Sequence, residues 1–82
     1  MTRKKINKIN KMLDEVHLQM YRGGYDKAKL NKAFLVFNLT SLLDEKAGFN
    51  GVADALMRMN EQVENYEICN YLKEIKEEIN GK

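Results

Sequence analysis

Two side chains stand out for their reactivity, because His17 is the single histidine and Cys69 the single cysteine of the chain. A general base or a metal site needs a companion, and no second histidine or H-E-x-x-H pattern accompanies His17. Cys69 cannot form an internal disulfide, and a lone thiol suits a reducing compartment. The adjacent carboxylates Asp44 and Glu45 would point in different directions on a helix and make a poor acid–base pair. The sequence therefore predicts structural roles for His17 and Cys69, no enzyme activity, and no cofactor or metal.

Two glycine-containing stretches are candidates for phosphate-binding loops: Gly23-Gly24 and Gly48-Phe49-Asn50-Gly51. Neither follows a predicted strand or matches G-x-x-x-x-G-K, and no run of alternating acidic ligands of the EF-hand type precedes a helix. We therefore predict that both stretches are turns. Gly23-Gly24 would supply the positive φ that the C-terminal cap of a helix requires.

Charge is distributed unevenly along the chain, although the net charge is only +2. Residues 1–32 carry nine Lys or Arg against three Asp or Glu, whereas residues 33–82 carry five against nine. Five of the cations crowd the start of the predicted first helix: Arg3, Lys4, Lys5, Lys8 and Lys11. Because this is the positive end of the helix dipole, something must compensate them. The negative charge that compensates them could come from the acidic last helix, from nucleic-acid phosphates or from an anionic membrane surface. An antiparallel bundle favours the acidic last helix.

The sequence predicts neither a membrane span nor a secretory signal. The longest purely apolar run covers residues 33–37, far short of the roughly 20 residues that a span needs. No uninterrupted apolar segment follows the basic N-terminus. We expect a cytoplasmic protein, in which the basic first helix would allow peripheral attachment to the inner membrane surface.

The stretch Asp26–Lys46 is predicted to be a central helix that is buried on most of its circumference. Its apolar residues cover more than the third of a circle that a one-sided surface helix needs, so neighbours must pack on at least two sides. These residues are Leu30, Ala33, Phe34, Leu35, Val36, Phe37, Leu39, Leu42 and Leu43. The expected fold is all-α: a compact bundle of three or four helices forming one domain over residues 1–82.

Capping residues predict where the helices begin and end. The first helix would run from an N-cap at Thr2 to about Arg22, and the second from an N-cap at Asp26 to about Gly48. Asn50 would then cap the third helix.

Apolar spacing predicts the buried seams of three helices. The seams are Ile6, Ile9, Leu13, Val16 and Met20 in the first, Val52, Leu56, Met59 and Val63 in the third, and Ile68, Leu72, Ile75 and Ile79 in the last. The register changes after Val63, which means either one long helix with a skip or a break at Glu64-Asn65. We favour the break, with Asn65 capping a last helix from Tyr66 to about Asn80.

Aromatic and methionine side chains suggest a protein-binding surface, because interfaces favour such residues. Four candidates lie beside the predicted turns or off the predicted seams: Tyr21, Tyr25, Phe49 and Met57. The alternative is that they complete a small core. As a surface they would capture a partner helix, and the partner could be a membrane protein's cytoplasmic segment.

Two further functions remain open. In one, the seam of the first helix pairs with its own copy in a homo-oligomer. In the other, the basic first helix binds nucleic acid, which we favour less than protein binding. The second helix is too apolar to lie in a DNA groove, and the pI of about 8.7 is only mildly basic.

The chain resembles two known kinds of protein. Residues 64–74, with Tyr66-Glu67, the small Cys69 and Leu72-Lys73-Glu74, resemble the second half of a UVR-type helical hairpin, an interaction module of excision-repair proteins, although Asn70 and Tyr71 depart from it. The whole chain, short, rich in Lys, Asn, Ile and Glu and poor in Cys, resembles the cytoplasmic lysis-inhibition accessory proteins of T-even-type phages, an antiholin class. This second resemblance implies a regulator that binds the cytoplasmic segment of a membrane holin to delay lysis.

Overall fold

A computed structural model describes residues 2–81, so Met1 and Lys82 of the predicted domain lie outside it. The described residues form an all-α bundle, as predicted, with four helices and no strand. The helices are α1 (Arg3–Arg22), α2 (Lys27–Ser41), α3 (Glu45–Gln62) and α4 (Tyr66–Asn80).

The core is built from one apolar stripe on each of α1, α3 and α4, with a smaller contribution from α2. The predicted seam of α1 is largely confirmed, since Ile9, Leu13, Val16 and Met20 are buried and Ile6 is half-buried. The predicted seam of α4 is confirmed in full, since Ile68, Leu72, Ile75 and Ile79 are all buried. Spacings of three and four residues place these side chains on one face of each helix.

The predicted ends of α1 are confirmed. The Thr2 hydroxyl accepts a hydrogen bond from the backbone N–H of Lys5 at 3.2 Å, which satisfies one of the unpaired donors of the first turn. At the other end Gly24 has a φ of +80°, and the N–H of Tyr25 donates to the carbonyl of Met20 at 3.1 Å. A left-handed residue just beyond the helix closes its last turn in this way.

The predicted break between the last two helices is confirmed as well. Glu64 has a φ of +58°, and the N–H of Asn65 donates to the carbonyl of Asn60 at 2.8 Å. Asn65 occupies the N-cap position of α4, although its side chain makes no capping hydrogen bond. The register change therefore marks a turn between two antiparallel helices.

The predicted boundary between the second and third helices is wrong. The second helix ends at Ser41 rather than near Gly48, and a link through Leu42 and Leu43 leads to Asp44. The Asp44 carboxylate accepts from the N–H of Ala47 at 3.2 Å, so Asp44 caps α3 instead of Asn50. An acidic residue in the first turn, Glu45, complements the helix dipole there.

Residues 48–51, predicted to form a turn, are therefore part of α3. Asn50 lies inside the helix, and its amide donates to the carbonyl of Lys46 and to the Asn80 side chain.

The prediction that α2 is the central helix is also wrong. Within α2 only Leu30 is fully buried, whereas α3 lies between α2 and α4 and packs against both. The buried residues of α3 are Gly48, Phe49, Val52, Ala53, Leu56 and Asn60. Of its predicted seam, Met59 is half-buried and Val63 is exposed. α3 is thus the central helix, and α2 is an outer one.

The α1–α4 contact closes the bundle. Lys8, near the start of α1, forms an ion pair with Glu78, near the end of α4, at 3.2 Å. The same antiparallel arrangement holds between α3 and α4, where Lys76 pairs with Asp54 at 2.6 Å. α2 lies beside α3 and α3 beside α4, and α1 packs against α4, the helix farthest from it in the sequence.

Candidate functional site

The outward side of α2 is apolar. Leu35, Leu39 and Leu42, spaced by four and three residues, are 58%, 60% and 82% exposed, and we call them the outer seam. Phe37 packs on the core, and Leu39 lies two positions further along, about 200° around the helix. The outer seam therefore points away from the core.

Two more aliphatic side chains extend this surface. Val36 is 55% exposed beside the seam, and Leu43, in the link after α2, is 92% exposed. Single exposed leucines are ordinary on protein surfaces, but contiguous apolar patches mark interaction sites.

A second feature, the α2–α3 groove, runs between the two helices on the side next to Val36. It holds about 350 Å³. Its lining consists of Lys29, Lys32, Ala33, Val36, Phe37 and Thr40 from α2 and of Gly48, Gly51, Val52, Ala55 and Met59 from α3. The lining is mostly apolar, and among residues 2–81 the two lysines are its only charged members.

Two glycines of α3 shape this groove in different ways. A Cβ at Gly48 would lie 3.0 Å from the N, Cα and Cβ atoms of Ser41, so the missing side chain allows the end of α2 to approach α3 closely. A Cβ at Gly51 would meet nothing within 4 Å. Gly51 therefore leaves the groove open, whereas Gly48 allows α2 and α3, which form its two sides, to pack closely at one end.

The four predicted protein-binding residues do not form one patch. Tyr21 is exposed, with the Lys27 Nζ atom 4.4 Å from its ring centre. Tyr25 is half-buried, and its hydroxyl donates to the carbonyl of Met59 at 3.4 Å. Met57 is half-buried against the core.

Phe49 is the clearest correction among these residues. It lies within α3 rather than in a turn, and it is only 1% exposed. Its ring packs on that of Phe37 with the centroids 5.1 Å apart. A side chain that is buried so completely offers no surface to a partner.

The five predicted anion-binding cations are spread over different surroundings. Arg3, Lys4 and Lys11 are exposed, Lys5 is half-buried, and Lys8 pairs with Glu78. The Lys5 Nζ atom lies 3.9 Å from where a Cβ of Gly81 would be, at the negative end of the α4 dipole. The acidic last helix thus compensates part of this cluster.

The two reactive side chains of the sequence both have packing contacts. The His17 ring meets the Phe34 ring edge-on at 4.7 Å. Cys69 is buried, and its Sγ atom lies 3.7 Å from the carbonyl oxygen of Met57, to which it donates. Burial, with a smaller effect from the Glu61 carboxylate, raises the pKa of the Cys69 thiol, which therefore favours the unreactive protonated form.

Residues 2–81 contain no group of three or more His, Cys, Asp or Glu side chains that is arranged to hold a metal ion. None of the four helices is both long enough and apolar enough to cross a membrane.

Neither the outer seam nor the groove was predicted from the sequence. One signal was present: Ala28, Lys32, Leu35, Leu39 and Leu42 are spaced by four, three, four and three residues. That spacing marks a lengthwise stripe for a neighbouring helix, but it does not tell whether the neighbour belongs to the same chain.

Comparison with known proteins gives a local similarity. No family model matches the chain, and no solved structure matches it. A stretch is similar to Polycystin-2 of Caenorhabditis elegans, with 39% identity over 56 residues. The match covers 65% of this chain but only 8% of that protein.

Proposed function

We propose that this protein is a small non-enzymatic regulator that binds one partner protein stoichiometrically through the α2–α3 groove. The observation that carries the proposal is the groove itself, an open apolar channel beside the exposed aliphatic side chains of α2. Apolar channels between helices are typical sites for an amphipathic partner helix.

The charges at the groove indicate what kind of helix would bind. Lys29 and Lys32 line it, and no carboxylate does. A partner helix with acidic residues beside its apolar face would satisfy both lysines, and long-range attraction would speed its association. Gly51 and Ala55 leave room for the side chains of that helix.

The resemblance to phage lysis-inhibition accessory proteins makes the cytoplasmic segment of a membrane holin the first partner to test. In this proposal the protein works in the cytoplasm at the inner membrane. The exposed cations Arg3, Lys4 and Lys11 would hold it near the anionic lipid surface.

The experiment titrates the purified chain with a holin cytoplasmic segment in a calorimeter. The matched variants are Gly51→Leu, which fills the groove, and Gly51→Ala, which adds only one methyl group into open space. We expect one-to-one binding by the natural chain and by Gly51→Ala, and a loss of at least about tenfold in affinity for Gly51→Leu. Circular dichroism checks that both variants stay helical.

Each negative result has a distinct meaning. If the natural chain does not bind the segment, the holin proposal is wrong. If Gly51→Leu binds as tightly as the natural chain, the partner does not use the groove. Lys32→Glu should also weaken binding at low salt, since it reverses one of the two groove charges.

Nucleic-acid binding is the competing function. The cations at the start of α1 give only limited support to this function, because Lys8 already pairs with Glu78 and Lys5 lies at the end of α4. Binding of this kind would appear as a gel-mobility shift at about 50 mM salt and would weaken steeply with added salt. If such a shift appears, and if the double variant Lys4→Gln, Lys11→Gln removes it, nucleic-acid binding would replace the regulator proposal.

A further inference from the structure

We infer that the outer seam of α2 pairs with the outer seam of a second copy of this chain, in antiparallel orientation, to form a two-fold symmetric dimer. The groove lies beside the outer seam and shares Lys32 with it, but Leu39 belongs only to the seam and Gly51 only to the groove. Leu39→Lys and Gly51→Leu therefore test the dimer and the partner-binding proposal separately.

The spacing of the seam fits a lengthwise helix contact. Ala28 and Lys32 continue the outer seam toward the start of α2, and from Ala28 to Leu42 the spacing is four, three, four and three residues. This is the spacing of the two seam positions in a coiled-coil heptad, with Lys32 as a charged member. The stripe runs along the whole of α2 and lies opposite its core contacts. A small, round contact would not need a stripe of this length.

The charges of α2 indicate antiparallel pairing. Its first turns carry Lys27, Lys29 and Lys32, its last turn has no basic residue, and Asp44 and Glu45 follow its end. In a parallel pair the lysines of both copies would lie together and repel each other. In an antiparallel pair the lysines of each copy meet the carboxylates and the negative helix end of the other.

Symmetry then sets the register. With the two-fold axis level with Phe37, Leu35 of one copy faces Leu39 of the other, and this contact occurs twice. The same register brings the first turn of α2 in one copy, which carries Lys29, to the end of α2 in the other, after which Asp44 and Glu45 follow. Lys32 then faces Leu42 and covers it with its aliphatic stem while its ammonium reaches water.

The self-complementarity of the surface is the reason for choosing a second copy over another partner. Each half of the seam carries what the other half lacks: cations at one end, carboxylates and two exposed leucines at the other. A foreign helix would need this same combination, whereas a second copy has it by construction.

The test is sedimentation equilibrium of the full chain from low micromolar to several hundred micromolar protein. We expect a mass that rises from 9.6 kDa toward twice that value. Leu39→Lys should weaken the dimer by about 30-fold or more, because it places an unpaired ammonium at the centre of the contact. Asn70→Lys, which adds the same side chain at an exposed position of α4, away from the seam, should leave it unchanged.

Orientation is tested by charge reversal. Lys29→Glu and Glu45→Lys should each weaken the dimer, and the double variant should recover most of the loss. Additive weakening in the double variant would overturn the antiparallel register. Circular dichroism of each variant separates these effects from a loss of helix.

Two results would overturn the dimer itself. One is a monomer at every concentration, and the other is a dimer that Leu39→Lys leaves intact. The chain could be monomeric while Leu39→Lys weakens binding of the holin segment or of vesicles that contain anionic lipid. In that case the outer seam binds that ligand and not a second copy of the chain.

Discussion

The same substitution at two positions of α3 should change stability in opposite directions. Gly48 and Gly51 both lie in the helix, three residues apart, and alanine is the better helix former at either position. At Gly51 a methyl group would meet nothing within 4 Å, so only the gain in helix propensity remains. At Gly48 the methyl group would lie 3.0 Å from three atoms of Ser41, two of them backbone atoms.

The magnitudes follow from these distances. Gly51→Ala should raise the free energy of unfolding by about 0.5–1 kcal/mol, the usual difference between the two residues inside a helix. Gly48→Ala gains the same amount but forces α2 and α3 apart, and overpacking of this kind costs about 1–3 kcal/mol. Its net effect should be a loss of about 1–2 kcal/mol. For a domain of this size the two melting temperatures should differ by roughly 10 °C.

Thermal and urea unfolding followed by circular dichroism measure both variants against the natural chain. Equal shifts of the same sign would refute the close contact between Gly48 and Ser41. A clear loss of stability for Gly51→Ala would refute the helical conformation of residues 48–51, since a turn glycine with positive φ resists alanine. The stability of Gly51→Ala also decides whether this variant is a valid control for partner binding.

Two further predictions concern buried polar groups. Asn60 is 1% exposed, and its amide donates to the Leu56 carbonyl at 2.7 Å and lies 3.3 Å from the Met20 sulfur. Asn60→Ala should therefore lower the free energy of unfolding, measured by urea titration, by about 1–3 kcal/mol. A change near zero would mean that the site closes around the smaller residue. Because burial raises the pKa of the Cys69 thiol, the folded chain keeps this proton where the unfolded chain loses it. Its contribution to stability is therefore complete below the ordinary pKa of 9.0 and falls as the pH rises above it. Cys69→Ala should reduce the pH dependence of the urea midpoint in that alkaline range, and an unchanged dependence would contradict the assigned cause.

The parts of the fold that could be predicted have a single apolar stripe and distinctive caps. In α1 the stripe from Ile9 to Met20 lies between a capping threonine and a glycine pair, and both ends match the structure. The seam of α4 was equally clear, because its register differs from that of the helix before it. In α1 and α4 the capping residues and the apolar spacing predict the same helix that the packing requires.

The α2–α3 region could not be predicted because its glycines and apolar residues are each compatible with two different structures. A glycine needed for close packing, such as Gly48, looks in sequence like a glycine that makes a turn. Apolar residues on both sides of α2 look like a buried helix, whether or not a neighbour in the same chain covers them. Composition favours burial of Leu39, and only the structure shows that residues 2–81 leave it 60% exposed.

The candidate site was missed for the same reason. Tyr25 and Phe49 were chosen by residue type and by expected proximity to turns, but packing decides which side chains reach the surface. The groove depends on a missing side chain at Gly51 and a small one at Ala55, and such positions carry little signal in a sequence.

The contact between α1 and α4 bears on the order in which the chain can fold during synthesis. A ribosome releases α1 first and α4 last, yet α1 packs mainly on α4. Most of the buried stripe of α1 must therefore stay uncovered until α4 has been made, although Met20 can already meet Asn60 of α3. In contrast, α2 and α3 can associate as soon as both have emerged. Closing this long loop should be the late step of folding, and a nascent chain that stalls within α4 would present the α1 stripe to chaperones.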